Sequence, residues 1–231
     1  IGTAAVGTQY AGLGVQVGTI VHNRDMFLDK AYRQENGRYS FYSASSEAVQ
    51  EVYTQLQETD GEAFRDAIAD FEEAFEEFAK DPSDTVNQNL VLQKASLFLS
   101  RAQAVEDGFE DYQTIINSKI IEDIDNVNEI GKKIVDLNKR IQAIEAAGVE
   151  KAMDLRDTRD LLLDKLSGMV KMTYREDYTG VVHVDIEGVE FIDDVNFYEM
   201  GALRDKKTGY VSPYWPQLSD IVSETDESKN T

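Results

Sequence analysis

From Thr85 to about Ala147 the chain contains no proline, and only Gly108 and Gly131 interrupt a run of strong helix formers. Within it Ile120, Ile124, Val127, Ile130, Ile134, Leu137, Ile141 and Ile144 recur at three- and four-residue steps, the spacing that lines one face of a helix. Roughly 60 residues rising 1.5 Å each give a helix of ~90 Å. A compact chain of this size has a diameter of only about 45 Å. A globule cannot hold such a helix. Either a glycine hinge folds it back, or the chain is a rod with its shorter helices laid antiparallel along the long one.

The segments before it fit the second option. Arg24 to about Thr59 is rich in helix formers, with a thin apolar stripe through Leu28, Ala31, Tyr39, Tyr42, Val49, Val52 and Leu56; Gly37 within it costs about 1 kcal/mol relative to Ala. Thr59-Asp-Gly-Glu62 has the form of a capping box. Beyond it Phe64, Ile68, Phe71, Phe75 and Phe78 form a seam opposite a strongly acidic face, and the expectation is that this seam is core. Asp81-Pro82-Ser83-Asp84 stops that helix, and Thr85-Val-Asn-Gln88 offers a capping box for the long one.

Past the long helix, Gly148 reads as its C-terminal cap, Asp154 as the cap of a shorter helix from Leu155 to Ser167, and Gly168 as that helix's end. The period then changes to two. Val182, Val184 and Ile186 alternate with His183 and Asp185, and Glu187-Gly188 is a two-residue hairpin turn. Before the first helix, Ile1 to Val21 reads as an extended lead-in, with alternation at Leu13, Val15 and Val17 and a break at His22-Asn23. The expected fold is mainly α with a small β part: an elongated antiparallel helical bundle over residues 1–168, capped by a β-hairpin subdomain at 169–195. Residues 196–231 show no clear period and read as a covering segment running into a disordered tail, or as the start of an outer variable domain.

No catalytic, cofactor-binding or metal-binding residues emerge. Gly12, Gly14 and Gly18 miss the dinucleotide-loop spacing, and Val15 and Val17 continue a strand where that motif opens a helix. Asp123, Asp125 and Asn128 lack the glycine a calcium loop needs and fall inside the helical period. His22 and His183 have no cysteine or second histidine at ligand spacing and read as solvent-facing. No enzyme and no cofactor are expected.

Against 44 Asp and Glu stand 23 Lys and Arg, a net charge of −21, which repels nucleic acid and anionic lipid surfaces. Neither is expected as a partner. The same charge predicts that neighbouring rods of this stretch repel one another, leaving it monomeric by itself. The chain has no cysteine, which suits an exported protein as well as a cytosolic one. It opens at Ile1 without Met or a signal-like segment and reads as a piece of a longer product.

Asp154-Leu-Arg-Asp-Thr-Arg-Asp-Leu-Leu-Leu-Asp-Lys-Leu-Ser167, following Asp136-Leu-Asn-Lys-Arg-Ile141, resembles the central signature of the hook-associated proteins of the bacterial flagellum. Gly14-Val-Gln-Val-Gly-Thr-Ile20, Asp25-Met-Phe-Leu28 with Arg33, and Asp81-Pro-Ser-Asp84 are similar to that family in the same order, so the resemblance runs from about Leu13 to Phe191. It implies a flagellin-like rod, a structural role between hook and filament, and an extracellular place in the flagellum reached by flagellar export without a cleaved signal. It also implies self-association in a ring in the full-length protein, contacts with the hook protein and a second junction protein, and an export chaperone acting through a C-terminal segment outside this sequence. In the signature helix Asp154 and Asp157 suit the N-terminus, Arg156 and Arg159 can pair with acids along the rod, and Leu162, Leu163 and Leu166 supply the buried face. The alternative from another class is a secreted helical-rod adhesin or secretion-tip binding module.

Overall fold

The computed structural model describes residues 3–6, 9–12, 26–57, 64–146, 151–194 and 196–218. Two short strands, β1 (Thr3–Val6) and β2 (Gln9–Gly12), pair antiparallel at the start. Leu13 to Val21, His22, the Thr59–Glu62 box and Gly148 lie outside the described residues.

The long helix forms without a hinge. After α1 (Met26–Gln57) and α2 (Phe64–Lys80), α3 spans Thr85–Glu145, 61 residues and so about 90 Å. Its start differs by one residue from the expectation: Asp84 is the N-cap, its Oδ1 accepting from Val86 N at 2.9 Å, and Gln88 Nε2 donates to the Pro82 carbonyl. Then α4 (Met153–Met169) returns along α3. Contacts fix the directions. Lys94 meets Asp70, Asn87 meets the Glu77 carbonyl, and Arg156 meets Glu145, so α2 and α4 both run antiparallel to α3. Toward one end the rod is a three-helix assembly of α1, α3 and α4; toward the other it thins to the α2–α3 hairpin.

The β part is larger than one hairpin. β3 (Met172–Glu176), β4 (Val182–Ile186), β5 (Val189–Asp193) and β6 (Asn196–Phe197) form an antiparallel sheet in chain order. The 187–188 turn is as expected, with φ of 53° at Glu187 and 81° at Gly188, the left-handed pair that a two-residue hairpin needs. β7 (Gly201–Arg204) and β8 (Val211–Tyr214) make a further hairpin in a region without legible period. The core lies where sheet meets rod: Ile124, Val127 and Ile134 of α3 and Leu163 and Leu166 of α4 pack on Val182, Val184, Ile186, Phe191 and Ile192.

Two seams differ from the sequence reading. On α2 only Ala67 and Ala74 are fully buried; Phe64 and Phe71 stack on Phe98 of α3, while Ile68 and Phe75 are exposed. The phenylalanine row is thus core along one edge only, because a two-helix hairpin has no third helix to close the other side. On α1 the thin apolar stripe is largely exposed as well. That helix is held by polar residues instead.

Candidate functional site: the polar seam between rod and sheet

Three asparagines on α3 carry the join. Asn117, Asn128 and Asn138 stand eleven and ten residues apart, close to three turns each, and so share one face of the helix. Each engages main chain of the β part with both ends of its amide. Asn117 Nδ2 donates to Gly209 O at 2.9 Å and Oδ1 accepts from Val211 N at 2.8 Å. Asn128 holds both the N–H and the carbonyl of Met200, each at 2.9 Å. Asn138 donates to Val182 O at 2.9 Å and accepts from Val182 N at 3.2 Å. A side-chain amide reproduces the donor and acceptor of a neighbouring strand, so these residues satisfy peptide groups that the β part presents to the helix. Between them Gly131 lets the rings come close: a Cβ there would lie 2.5 Å from Phe191 and from Phe197.

A charged network continues from the third asparagine. Arg159 of α4, only 1% exposed, donates through Nη1 to Asn138 Oδ1 at 3.0 Å and Gly180 O at 2.6 Å, and through Nη2 to Glu176 Oε2 at 3.1 Å. Its Nε has no partner, and burial pulls the Arg159 guanidinium below its ordinary pKa. Glu176 also accepts from Arg156 Nη1 at 2.6 Å. Arg156 in turn makes a two-point pair with Glu145, at 2.8 and 2.7 Å. Hydrogen bonding from Arg156, with a further bond from Ala152 N, holds the Glu145 carboxyl at about 2.

The cap of α4 is therefore not Asp154, which sits in the first turn; the side chain that meets the leading N–H of Ala152 is Glu145, across the bend from α3. Gly168 does not end α4 either: it lies within the helix, where a Cβ would stand 3.1 Å from Asn36 Nδ2. Arg156 and Arg159 do pair with acids, as the sequence suggests. Arg159 does so from inside the core, which its spacing alone does not reveal.

Arg33 anchors α1. Its guanidinium is buried, bonds to Asp164 Oδ1 at 2.7 Å and Asp160 Oδ1 at 3.1 Å, and lies over the Tyr174 ring at 4.4 Å. Asn36 adds bonds to Asp164 O and Ser167 Oγ. Gly37 permits this approach, since a Cβ would meet Ser167 O at 2.9 Å. His183 is not solvent-facing: it is half-buried between carboxylates, Nδ1 3.0 Å from Asp193 Oδ1 and Nε2 3.5 Å from Asp177 Oδ2. These acids flank opposite ring nitrogens and do not converge on a shared point. Among the described residues no group of three or more His, Cys, Asp or Glu is placed to hold a metal ion, and no helix is long and apolar enough to cross a membrane. The seam positions main chain and neutralises buried charge, which is the chemistry of a scaffold.

A long uninterrupted helix, a shorter helix returning along it and a sheet clipped to their flank define a helical rod domain with a small β part. The family model described as the flagellar hook-associated protein FlgK helical domain matches residues 49–229, most of the chain, and the chain belongs to that family. It is 27% identical over 205 residues to flagellar hook-associated protein 1 of Bacillus subtilis strain 168, covering 87% of this chain and 40% of that protein. The structure of the flagellar hook junction protein FlgK from Burkholderia pseudomallei has the same fold, with a TM-score of 0.64 at 17% identity, covering 81% of this chain and 32% of that one. The chain thus spans less than half the length of either relative.

Proposed function

We propose that this chain is the rod portion of a structural subunit that joins hook to filament in the bacterial flagellum and that it carries no catalytic step. The observation that supports this most is family membership over residues 49–229, joined to a geometry that suits bearing load. A 61-residue helix transmits force along its axis, and three bidentate amides hold the β part against sliding along it. In this reading residues 1–168 are the rod with its N-terminal lead-in, 169–195 a small β-subdomain and 196–231 a covering segment and tail. Assembly with other flagellar proteins, self-association in a ring, contacts with the hook protein and a second junction protein, export without a cleaved signal, and a chaperone contact outside this sequence belong to the same reading. One relative is named a flagellar hook-associated protein and the other a flagellar hook junction protein, which supports this reading over a secreted adhesin or secretion-tip module.

A segment exchange tests it. The matching segment of the Bacillus subtilis relative is replaced by this chain in a strain lacking that protein. Retention of filaments on the cells is expected. Filaments shed into the medium, with the chimera exported and folded, would contradict the reading.

A further inference from the structure

Asn36-Gly37 is the one Asn-Gly pair in the sequence, and it stands in the surface by which α1 docks on α4. Both residues are poor helix formers, yet the contact requires each of them. Asn36 Nδ2 donates to the Asp164 carbonyl at 3.1 Å and to Ser167 Oγ at 3.0 Å. A Cβ on Gly37 would lie 2.9 Å from Ser167 O, and one on Gly168 would lie 3.1 Å from Asn36 Nδ2, so the two helices meet here with little room to spare. Arg33, one turn earlier, adds its bonds to Asp160 and Asp164. Since the apolar stripe of α1 is largely exposed, these few polar contacts hold the helix down.

The same pair is chemically labile. Glycine has no side chain to shield its main-chain nitrogen and turns freely, so in an open chain that nitrogen reaches the asparagine Cγ. A bond forms between Gly37 N and Asn36 Cγ, the Cγ–Nδ2 bond breaks, and Nδ2 leaves as ammonia, taking the proton that Gly37 N releases through solvent. The product is a cyclic succinimide. Water then opens either of its carbonyls, leaving aspartate or, with the main chain rerouted through the side chain, isoaspartate. No co-reactant besides water is needed. Docked α1 blocks the first step: the helix sets ψ near about −42° and commits the Gly37 N–H to its ladder, which keeps nitrogen and Cγ out of line for attack. The bonds to Asp164 and Ser167 fix the amide against α4 as well.

We infer that Asn36-Gly37 is a latent modification site gated by α1: it loses ammonia when α1 lifts from α4, and the product keeps α1 from docking again. The new carboxylate has no N–H to give. Ser167 Oγ already donates to Asp164 O at 2.7 Å, so the added oxygen faces two acceptors, beside the Asp160 and Asp164 carboxylates that hold Arg33. Isoaspartate lengthens the main chain within a contact that has no slack. The modified chain therefore carries a loose α1 on an otherwise intact rod. Loss of ammonia is slow beside helix opening, so its rate follows the fraction of time that α1 stands open. The inference rests on the α1–α4 contact and holds whether or not the chain acts between hook and filament.

The test follows the 231-residue chain in mildly alkaline buffer, native and unfolded in guanidinium chloride, by peptide mapping with mass spectrometry. Asp60-Gly61 and Asp107-Gly108 can form the same ring but release no ammonia, so the signal at position 36 is distinct. Asn36 is expected to deamidate at least about tenfold faster in the unfolded chain. In native buffer Arg33→Ala is expected to raise the rate at Asn36 at least about tenfold, while Asn117, held on α3 by the β part, keeps the parent's rate. Asn36→Asp makes one product directly, and its α1 amide hydrogens are expected to exchange at least about tenfold faster than the parent's with those of α3 unchanged. Equal deamidation of Asn36 in the folded and unfolded parent, acceleration of Asn117 together with Asn36 in Arg33→Ala, or parental exchange of α1 in Asn36→Asp would each overturn the proposal.

Discussion

Asn128 grips both ends of one residue's main chain: its Nδ2 donates to the Met200 carbonyl and its Oδ1 accepts from the Met200 N–H, each at 2.9 Å. Met200 is itself buried against α3. Asn128→Ala leaves two buried peptide groups without partners, a cost of about 2 to 3 kcal/mol. Asn126→Ala, on the exposed face two residues away, should change little. Urea titration of the two variants compares them directly, and equal midpoints would remove the asparagine seam from the account.

The two glycines of α3 should respond oppositely to alanine. At Gly131 the new Cβ meets two ring edges at 2.5 Å, so overpacking of about 1 to 3 kcal/mol outweighs the gain of about 1 kcal/mol in helix propensity. At Gly108 the near neighbour is the end of the Gln55 side chain, which can rotate away. Thermal unfolding should therefore fall for Gly131→Ala and hold or rise for Gly108→Ala; the same sign for both would contradict the packing described.

Burial separates the seam from the acidic faces. Ile134 is fully buried, and Ile134→Ala should cost about 2 to 5 kcal/mol, whereas Glu76 is exposed and Glu76→Ala should lie within about 0.5 kcal/mol of the parent. Chemical denaturation with a shared m-value resolves the difference.

Acid should loosen the bend between α3 and α4. Glu145 is held at about 2 by Arg156, against an ordinary value of 4.5. A carboxyl depressed in the folded state stabilises fully above its unfolded pKa, and that contribution is lost as pH falls from about 4.5 toward 2. Its size is about 2 to 3 kcal/mol, because the group is largely buried. Glu145→Gln should be less stable than the parent at pH 7 and show a flatter stability profile below pH 4.5. Parallel profiles for the two proteins in that window would rule the pair out as the cause.

The long helix and the turn at Glu187-Gly188 were legible because periodicity and turn chemistry are local. The α3 face that meets the sheet was half legible: its isoleucines mark it, but the asparagines do not, since an asparagine in a helix reads as a solvent residue unless its main-chain partner, here 44 to 94 residues away, is known. The burial of Arg33 and Arg159 was hidden for a similar reason, although both residues stood out in the sequence, as burial of a guanidinium depends on acids from other elements. The α2 phenylalanines misled in the other direction. Periodicity shows that a face is apolar, not that the fold supplies a helix to cover it.

Small-angle scattering of the dilute chain tests the central claim most directly, because every other feature depends on an unbroken α3. A maximum dimension of at least about 90 Å is expected from 61 helical residues at 1.5 Å each. A maximum near 45 Å, the diameter of a compact chain of this length, would mean that the long helix folds back on itself and that no rod exists.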